Sequence, residues 1–220
     1  MRILITAATA PELLPAQEVW EAIRHQAGNH LWVKNLVTGI GTTATAYHTL
    51  KALSDSSEAP YDLAINVGIA GSFHDSLPIG SVVRVTSDYF GDCGIQTASG
   101  FQSLFDTRLI DADTFPFSMG KLTPAPLPLK TESAIAFLPA VEGVTVQHLV
   151  ETGFAALHAH AQVETMEGAA FFYVCMNERI PCIALRSVSN MAGERDKKRW
   201  DIPLALTTLR KTILSFLSAQ

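Results

Sequence analysis

Two carboxylates, an amide and an arginine stand in this sequence where strands hand over to helices. In Thr6-Ala7-Ala8-Thr9-Ala10-Pro11-Glu12, Glu12 follows a loop of small residues and falls on the first turn of a helix. There it either complements the positive helix end or stands as a general base over a water molecule. In Val163-Glu164-Thr165-Met166-Glu167-Gly168-Ala169-Ala170, two acids flank a methionine where an extended segment enters an apolar helix. A carboxylate here is favoured by the helix dipole, or it accepts two hydrogen bonds from a sugar 2′,3′-diol. In the second case Met166 lies against the sugar ring as a soft apolar surface. Arg186 interrupts an apolar run in Leu185-Arg186-Ser187-Val188-Ser189-Asn190 and needs a partner, because an unpaired buried charge is costly. An ion pair with a core acid would supply one. Asn190 sits just past that strand, where a site residue would sit.

Two glycine-bearing turns join this set. Gly39-Ile40-Gly41-Thr42-Thr43-Ala44 fits the dinucleotide fingerprint GxGxxG/A. The ribose-binding acid expected at the end of the next strand is missing, because 63–67 ends in Asn66-Val67-Gly68 and Asp62 lies at the wrong end. A tight turn needing small residues is one reading. The favoured one has Gly41, Thr42 and Thr43 presenting backbone and hydroxyl donors to a ligand oxygen or water. In Asn66-Val67-Gly68-Ile69-Ala70-Gly71-Ser72-Phe73, Gly68 and Gly71 let backbone approach a flat ligand closely. His158-Ala159-His160 resembles a metal pair but has no further ligand group, and a solvated helix face is preferred. The charge run 194–199 is a solvated loop or a lid behind Asn190. No GxSxG motif is present.

The elements that must position these residues alternate. Strands are expected over 2–6, 32–37, 63–67, 82–87, 144–150 and 182–188. Helices are expected over 11–26, 42–53, 166–178 and 201–217, the first with Leu13, Leu14, Val19, Trp20 and Ile23 inward. Residues 91–130 carry four prolines and Phe101, Phe105, Phe115 and Phe117 without clear periodicity. Such alternation implies an α/β domain around a largely parallel sheet, with its site at the carboxyl ends of the strands.

Composition bounds the function. The chain has 220 residues, 16 Lys+Arg against 21 Asp+Glu, and a formal charge of −5. A chain this size supports its own core without disulfides. The acidic balance argues against a nucleic-acid coat or a polybasic membrane anchor. No apolar stretch approaches the roughly 18 residues of a spanning helix. Cys93, Cys175 and Cys182 form no CxxC motif, which suits a reduced, cytoplasmic protein.

Strand–GIG–helix, NVGIAGSF, VETMEGAA and LRSVSN, in this order over the whole chain, resemble the purine nucleoside phosphorylase/nucleosidase superfamily. The MEGAAFFY helix and the SN…GERDKKRWDIPLAL ending are most similar to the members that cleave futalosine in menaquinone biosynthesis. The resemblance implies a single-domain, three-layer α/β fold with a mixed, partly barrel-like central sheet, assembled as a homodimer or larger. It implies a small-molecule nucleoside substrate and no metal or cofactor. By position, Glu167 with Met166 resembles the ribose-holding pair, and Glu12 the acid that activates water. Arg186 corresponds to a site-edge arginine, Asn190 to the base-recognising residue, and Phe154 to an aromatic packed near the base.

Two departures from the superfamily pattern bear on subclass. Its phosphorylases bind phosphate partly through an arginine in the first strand–loop, whereas residues 6–11 carry no cation. Glu12 would repel a phosphate dianion and suits water. Asn190 stands where the methylthioadenosine/S-adenosylhomocysteine nucleosidases carry an aspartate. An amide offers N–H to O6 or N7 of a 6-oxopurine and C=O to its N1–H, which points to hypoxanthine as the leaving base. Methylthioadenosine nucleosidase, phosphorylase, NAD-dependent oxidoreductase and non-catalytic nucleoside-binding protein are the alternatives. Arg195 or Lys197 is a candidate partner for the carboxylate on the substrate's benzoate tail.

Overall fold

The computed structural model describes residues 1–26, 30–55, 57, 59–98, 100–148, 160–194 and 196–220. Its elements in chain order are β1 (Arg2–Ala7), α1 (Ala10–Ile23), β2 (Trp32–Val37), α2 (Thr42–Leu53), β3 (Leu63–Ser72) and β4 (Val82–Ser87). Two short hairpins follow, β5 (Gly94–Thr97) with β6 (Gly100–Ser103), and β7 (Phe117–Ser118) with β8 (Lys121–Leu122). Then come α3 (Leu129–Ile135), β9 (Ala140–Thr145), β10 (Val163–Thr165), α4 (Gly168–Asn177), β11 (Cys182–Met191) and α5 (Ile202–Ser218).

Seven of these strands form one sheet in the order β10-β9-β4-β11-β3-β1-β2. β1 pairs in parallel with β2 and β3, and β3 with β11, while β11 pairs antiparallel with β4. β10 pairs in parallel with β9 and antiparallel with β3. That last pairing closes β3, β11, β4, β9 and β10 into a ring, with β1 and β2 as an open wing. The sheet is therefore mixed and partly barrel-like.

Alternation along the strands sorts residues into two cores, because successive side chains leave opposite faces. Ile3, Ile5 and Ala7 of β1, Leu63, Ile65 and Val67 of β3, and Ile183 and Leu185 of β11 pack under α1 and α5. Leu4, Ala64, Ala70, Ala184 and Val188 face the other way, toward Phe171, Phe172 and Cys175 of α4. Helices on both faces of a sheet complete three layers.

β2, α2 and β4 run where the hydrophobic pattern places them, while four expectations change. In α1, Leu14 points to solvent, and Pro15 and Ala16 are buried with Leu13, Val19 and Ile23. One step along a helix turns about 100°, so adjacent Leu13 and Leu14 do not share a face. β3 and β11 continue past 67 and 188, because β10 pairs with the glycine-rich end of β3 and β11 runs alongside it. The ninth strand spans Ala140–Thr145, earlier than expected. The 91–130 segment folds into the two hairpins and α3. Phe105 and Phe117 pack at 5.2 Å, and Phe117 lies 5.9 Å from Tyr173 of α4. Among the described residues, no helix is long and apolar enough to cross a membrane.

Candidate active site

The carboxyl ends of β1, β3 and β11, with β10 and the start of α5, surround a cavity of about 430 Å³. Glu12, Glu164, Glu167 and Asn190 line it together with apolar Ile69, Met166, Trp200 and Leu206, and Lys197. A cavity of this size suits a small organic ligand fixed by a few polar groups.

Glu12 is held by a reciprocal helix cap. Thr9 Oγ1 accepts the Glu12 N–H at 3.4 Å and donates to Glu12 Oε2 at 2.6 Å. Glu12 Oε1 accepts the Ile69 N–H at 3.1 Å. The carboxylate thus lies flat against β3, and a methyl on Gly68 would come within 2.8 Å of Oε1. Each oxygen keeps a second lone pair for a ligand proton.

Glu167 occupies the N-cap position of α4 without a side-chain bond to that helix, and its Oε1 accepts the Gly41 N–H at 2.9 Å. Burial raises its pKa. The Gly41 N–H and the Arg186 charge oppose the rise, and nearby Glu12 adds to it. Behind it, Thr145 Oγ1 accepts the Ala169 N–H at 2.7 Å and donates to Asp88 Oδ1 at 2.9 Å. Asp88 is wholly buried, and burial pushes its carboxyl up to about 7.

Arg186 lies beneath the cavity floor and does not line it. It donates to Asn66 O at 2.9 Å, to Leu185 O at 3.1 Å and to Asn66 Oδ1. Burial lowers its pKa, and the charges of Glu167, Glu12 and Asp88 counter this. The three carboxylates thereby offset the cost of burying this cation. The resemblance implied a site-edge position for Arg186; its side chain is buried, bonded to Asn66 and Leu185, and its strand neighbours Leu185 and Ser187 are buried too.

Gly41 and Thr42 stand at the N-terminus of α2. Their N–H groups are engaged by this chain's own side chains, Gly41 by Glu167 and Thr42 by Gln147 Oε1 at 2.9 Å, and neither residue lines the cavity. Gly41 has φ +89°, a conformation that disfavours side chains, so the GIG turn serves backbone geometry and the anchoring of Glu167.

Asn190 lies within β11, not past it. A bulge between Val188 and Asn190 adds Ser189 to the strand and re-aims the side chains beyond it. The Asp201 N–H bonds Ser189 O at 2.9 Å, which ties the start of α5 to the bulge. Glu12, Gly71, Met166, Glu167 and Asn190, far apart in sequence, thus meet at one cavity. Phe154, Arg195 and His158 lie outside the described residues. Phe101, Phe105, Phe115 and Phe117 do not line the cavity. Glu164 and Trp200 do; the motif flags Glu164 as one of two acids flanking Met166 without choosing between them, and no motif marks Trp200.

The Phosphorylase superfamily model matches residues 141–218. Futalosine hydrolase of Streptomyces coelicolor is 31% identical over 187 residues, covering 81% of this chain and 75% of the relative. The chain belongs to the futalosine hydrolase family. The 5′-methylthioadenosine/S-adenosylhomocysteine nucleosidase of Psychromonas ingrahamii is 26% identical over 195 residues, covering 80% of this chain and 76% of that protein. The solved structure of a futalosine hydrolase mutant of Helicobacter pylori strain 26695 shares the fold. Its TM-score is 0.78 at 19% identity, with 100% of each chain covered. The ring-closing β10 of this family member therefore belongs to a fold already seen in solved structures.

Proposed function

We propose that this family member hydrolyses the N-glycosidic bond of futalosine, releasing hypoxanthine and dehypoxanthine futalosine in menaquinone biosynthesis. It is an enzyme, an N-glycosyl hydrolase. The observation that carries the reading is the meeting of Glu12, the Met166–Glu167 pair and Asn190 at one apolar-walled cavity.

In the proposed reaction Glu167 accepts the ribose hydroxyls and favours the positive charge that develops on the sugar, while Met166 lies against the ring. By analogy with glycoside hydrolysis, the transition state is oxocarbenium-like. The C1′–N9 electron pair leaves with hypoxanthine. The Asn190 amide N–H bonds the purine as negative charge develops on it, which lowers the barrier more than it tightens ground-state binding. Water attacks C1′ and gives its proton to Glu12, and the departing hypoxanthine anion takes up a proton from solvent. Residues 6–11, which lead to Glu12, carry no cation, and this favours water over phosphate. Lys197 at the cavity wall is the candidate partner for the tail carboxylate. The reading extends to a cytoplasmic homo-oligomer. Free Cys93, Cys175 and Cys182 support the first part, and exposed Ile40, Tyr47 and Leu50 the second.

The test is incubation with futalosine, inosine and methylthioadenosine, with and without phosphate, followed by chromatography of base and sugar. Hypoxanthine from futalosine at a phosphate-independent rate is expected. Adenine from methylthioadenosine with futalosine intact, or a sugar 1-phosphate product, would overturn the reading.

A further inference from the structure

Gly71 of β3 is the register partner of two polar residues at once, Glu164 of β10 on one side and Asn190 of β11 on the other. Residues paired across strands present their side chains on one face. A methyl on Gly71 would lie 3.1 Å from Glu164 Oε1 and 3.2 Å from Asn190 Nδ2. The carboxylate and the amide therefore converge over a bare stretch of backbone, and both line the cavity. Both residues are buried, Glu164 to 4% exposure and Asn190 to 3%.

The Asn190 amide is already oriented. Its Nδ2 donates to Met191 O at 2.9 Å, and its Oδ1 accepts from Ser189 Oγ at 2.7 Å. A backbone carbonyl only accepts, so the amide cannot turn over without setting two oxygens against each other. The donor nitrogen, with its second N–H, is thus the atom that comes up beside Glu164. An ionised carboxylate only accepts. The floor of the cavity presents a donor next to an acceptor.

A 6-oxopurine carries the complement on one edge, O6 as acceptor next to N1–H as donor. A 6-aminopurine carries the reverse, N6–H as donor next to N1 as acceptor. We infer that Glu164 determines base specificity, its carboxylate accepting N1–H of a 6-oxopurine whose O6 takes the Asn190 amide N–H. The inference rests on the proposed role of Asn190 at the base and deepens it. Selection comes from the pair and not from the amide alone. Adenine in the same pose sets its N1 lone pair against the carboxylate and its amino group against the amide N–H, leaving buried polar groups unmatched.

The test measures calorimetric affinities for free hypoxanthine and adenine, with steady-state kinetics on futalosine, for the wild type, Glu164→Gln and Glu164→Leu. Circular dichroism and Tm verify folding. Glutamine keeps the shape, and its amide serves either base. The preference for hypoxanthine over adenine should fall at least 10-fold in Glu164→Gln, through weaker hypoxanthine binding and a raised KM, with kcat moved less. An unchanged preference in a folded variant, with the wild type cleaving futalosine, overturns the role of Glu164. A wild type that leaves futalosine intact overturns the substrate instead, and its hypoxanthine-over-adenine ratio still reports on Glu164.

Discussion

Replacing Glu12 by Gln separates chemistry from support, because the structure shows what glutamine can and cannot retain. Its carbonyl can still accept the Ile69 N–H that Oε1 accepts at 3.1 Å. Its NH2 then meets Thr9 Oγ1, which now donates to Oε2 at 2.6 Å and must turn to accept. The loss is one charge-assisted bond, about 1 kcal/mol beyond a neutral one. The favourable charge at the start of α1 is lost too, roughly 0.3–1 kcal/mol. The two losses together lower stability by about 1–2 kcal/mol, a fall in Tm on the order of 2–8 °C for a chain of this length. The catalytic loss is larger. Removing a general base costs typically 10²–10⁴-fold, or about 3–5 kcal/mol of barrier. Futalosine turnover should therefore fall by at least ~100-fold while KM stays within a few-fold, since Glu167 and Asn190 are untouched. Calorimetric melting and initial-rate kinetics on the same preparation read both quantities. A kcat reduced less than about 10-fold, or a KM that rises as steeply as kcat falls, would refute the base role.

Four further outcomes are expected. Glu167→Gln can keep its bond to the Gly41 N–H but loses the charge offered to the diol, so KM rises and kcat falls together; near-normal kinetics would remove it from the site. Because burial raises the Glu167 pKa, the carboxylate is lost on acidification above the ordinary 4.5, and the acid limb of kcat/KM should lie above that value in a pH–rate profile. Gly71→Ala puts a methyl 3.1–3.2 Å from Glu164 and Asn190, where pairing on both flanks of β3 prevents retreat. Overpacking of this kind costs about 1–3 kcal/mol, and hypoxanthine affinity measured by calorimetry should fall by at least ~10-fold. Asp88 loses its proton near 3.8 when unfolded and near 7 when folded. Between those values the unfolded chain binds fewer protons, so stability present at low pH is lost as pH rises through 7. Asp88→Asn cannot ionise, and urea unfolding at pH 5.5 and pH 8 should show a smaller fall than the wild type; equal falls would contradict the assignment.

Local patterns carried most of the element map. β1, β2, α2 and β4 arise from apolar runs, with the turn at Gly39–Gly41 opening α2. The acid at the start of α1 and the acid at the start of α4 were legible because capping chemistry and strand-end logic act within a few residues of sequence. Glu12, Met166, Glu167 and Asn190 stand out on that basis from sequence alone.

Partner choice was not legible. Gly41 and Glu167 are 126 residues apart, and Arg186 and Asn66 are 120 apart. No local rule says that a helix N-terminus will bond a side chain of the same chain and not a ligand, or that an arginine will sink beneath the floor. The first outcome depends on where β10 delivers Glu167, and the second on β11 pairing with β3, which also carries that strand through Gly68. β10 and β11 both meet β3 at Gly71, which sets Glu164 beside Asn190. Residue type and short-range spacing determined which groups can do chemistry here. The closing of the sheet decided which of them face one another, because a hydrogen bond needs its two atoms about 3 Å apart and only the tertiary fold brings distant strands that close.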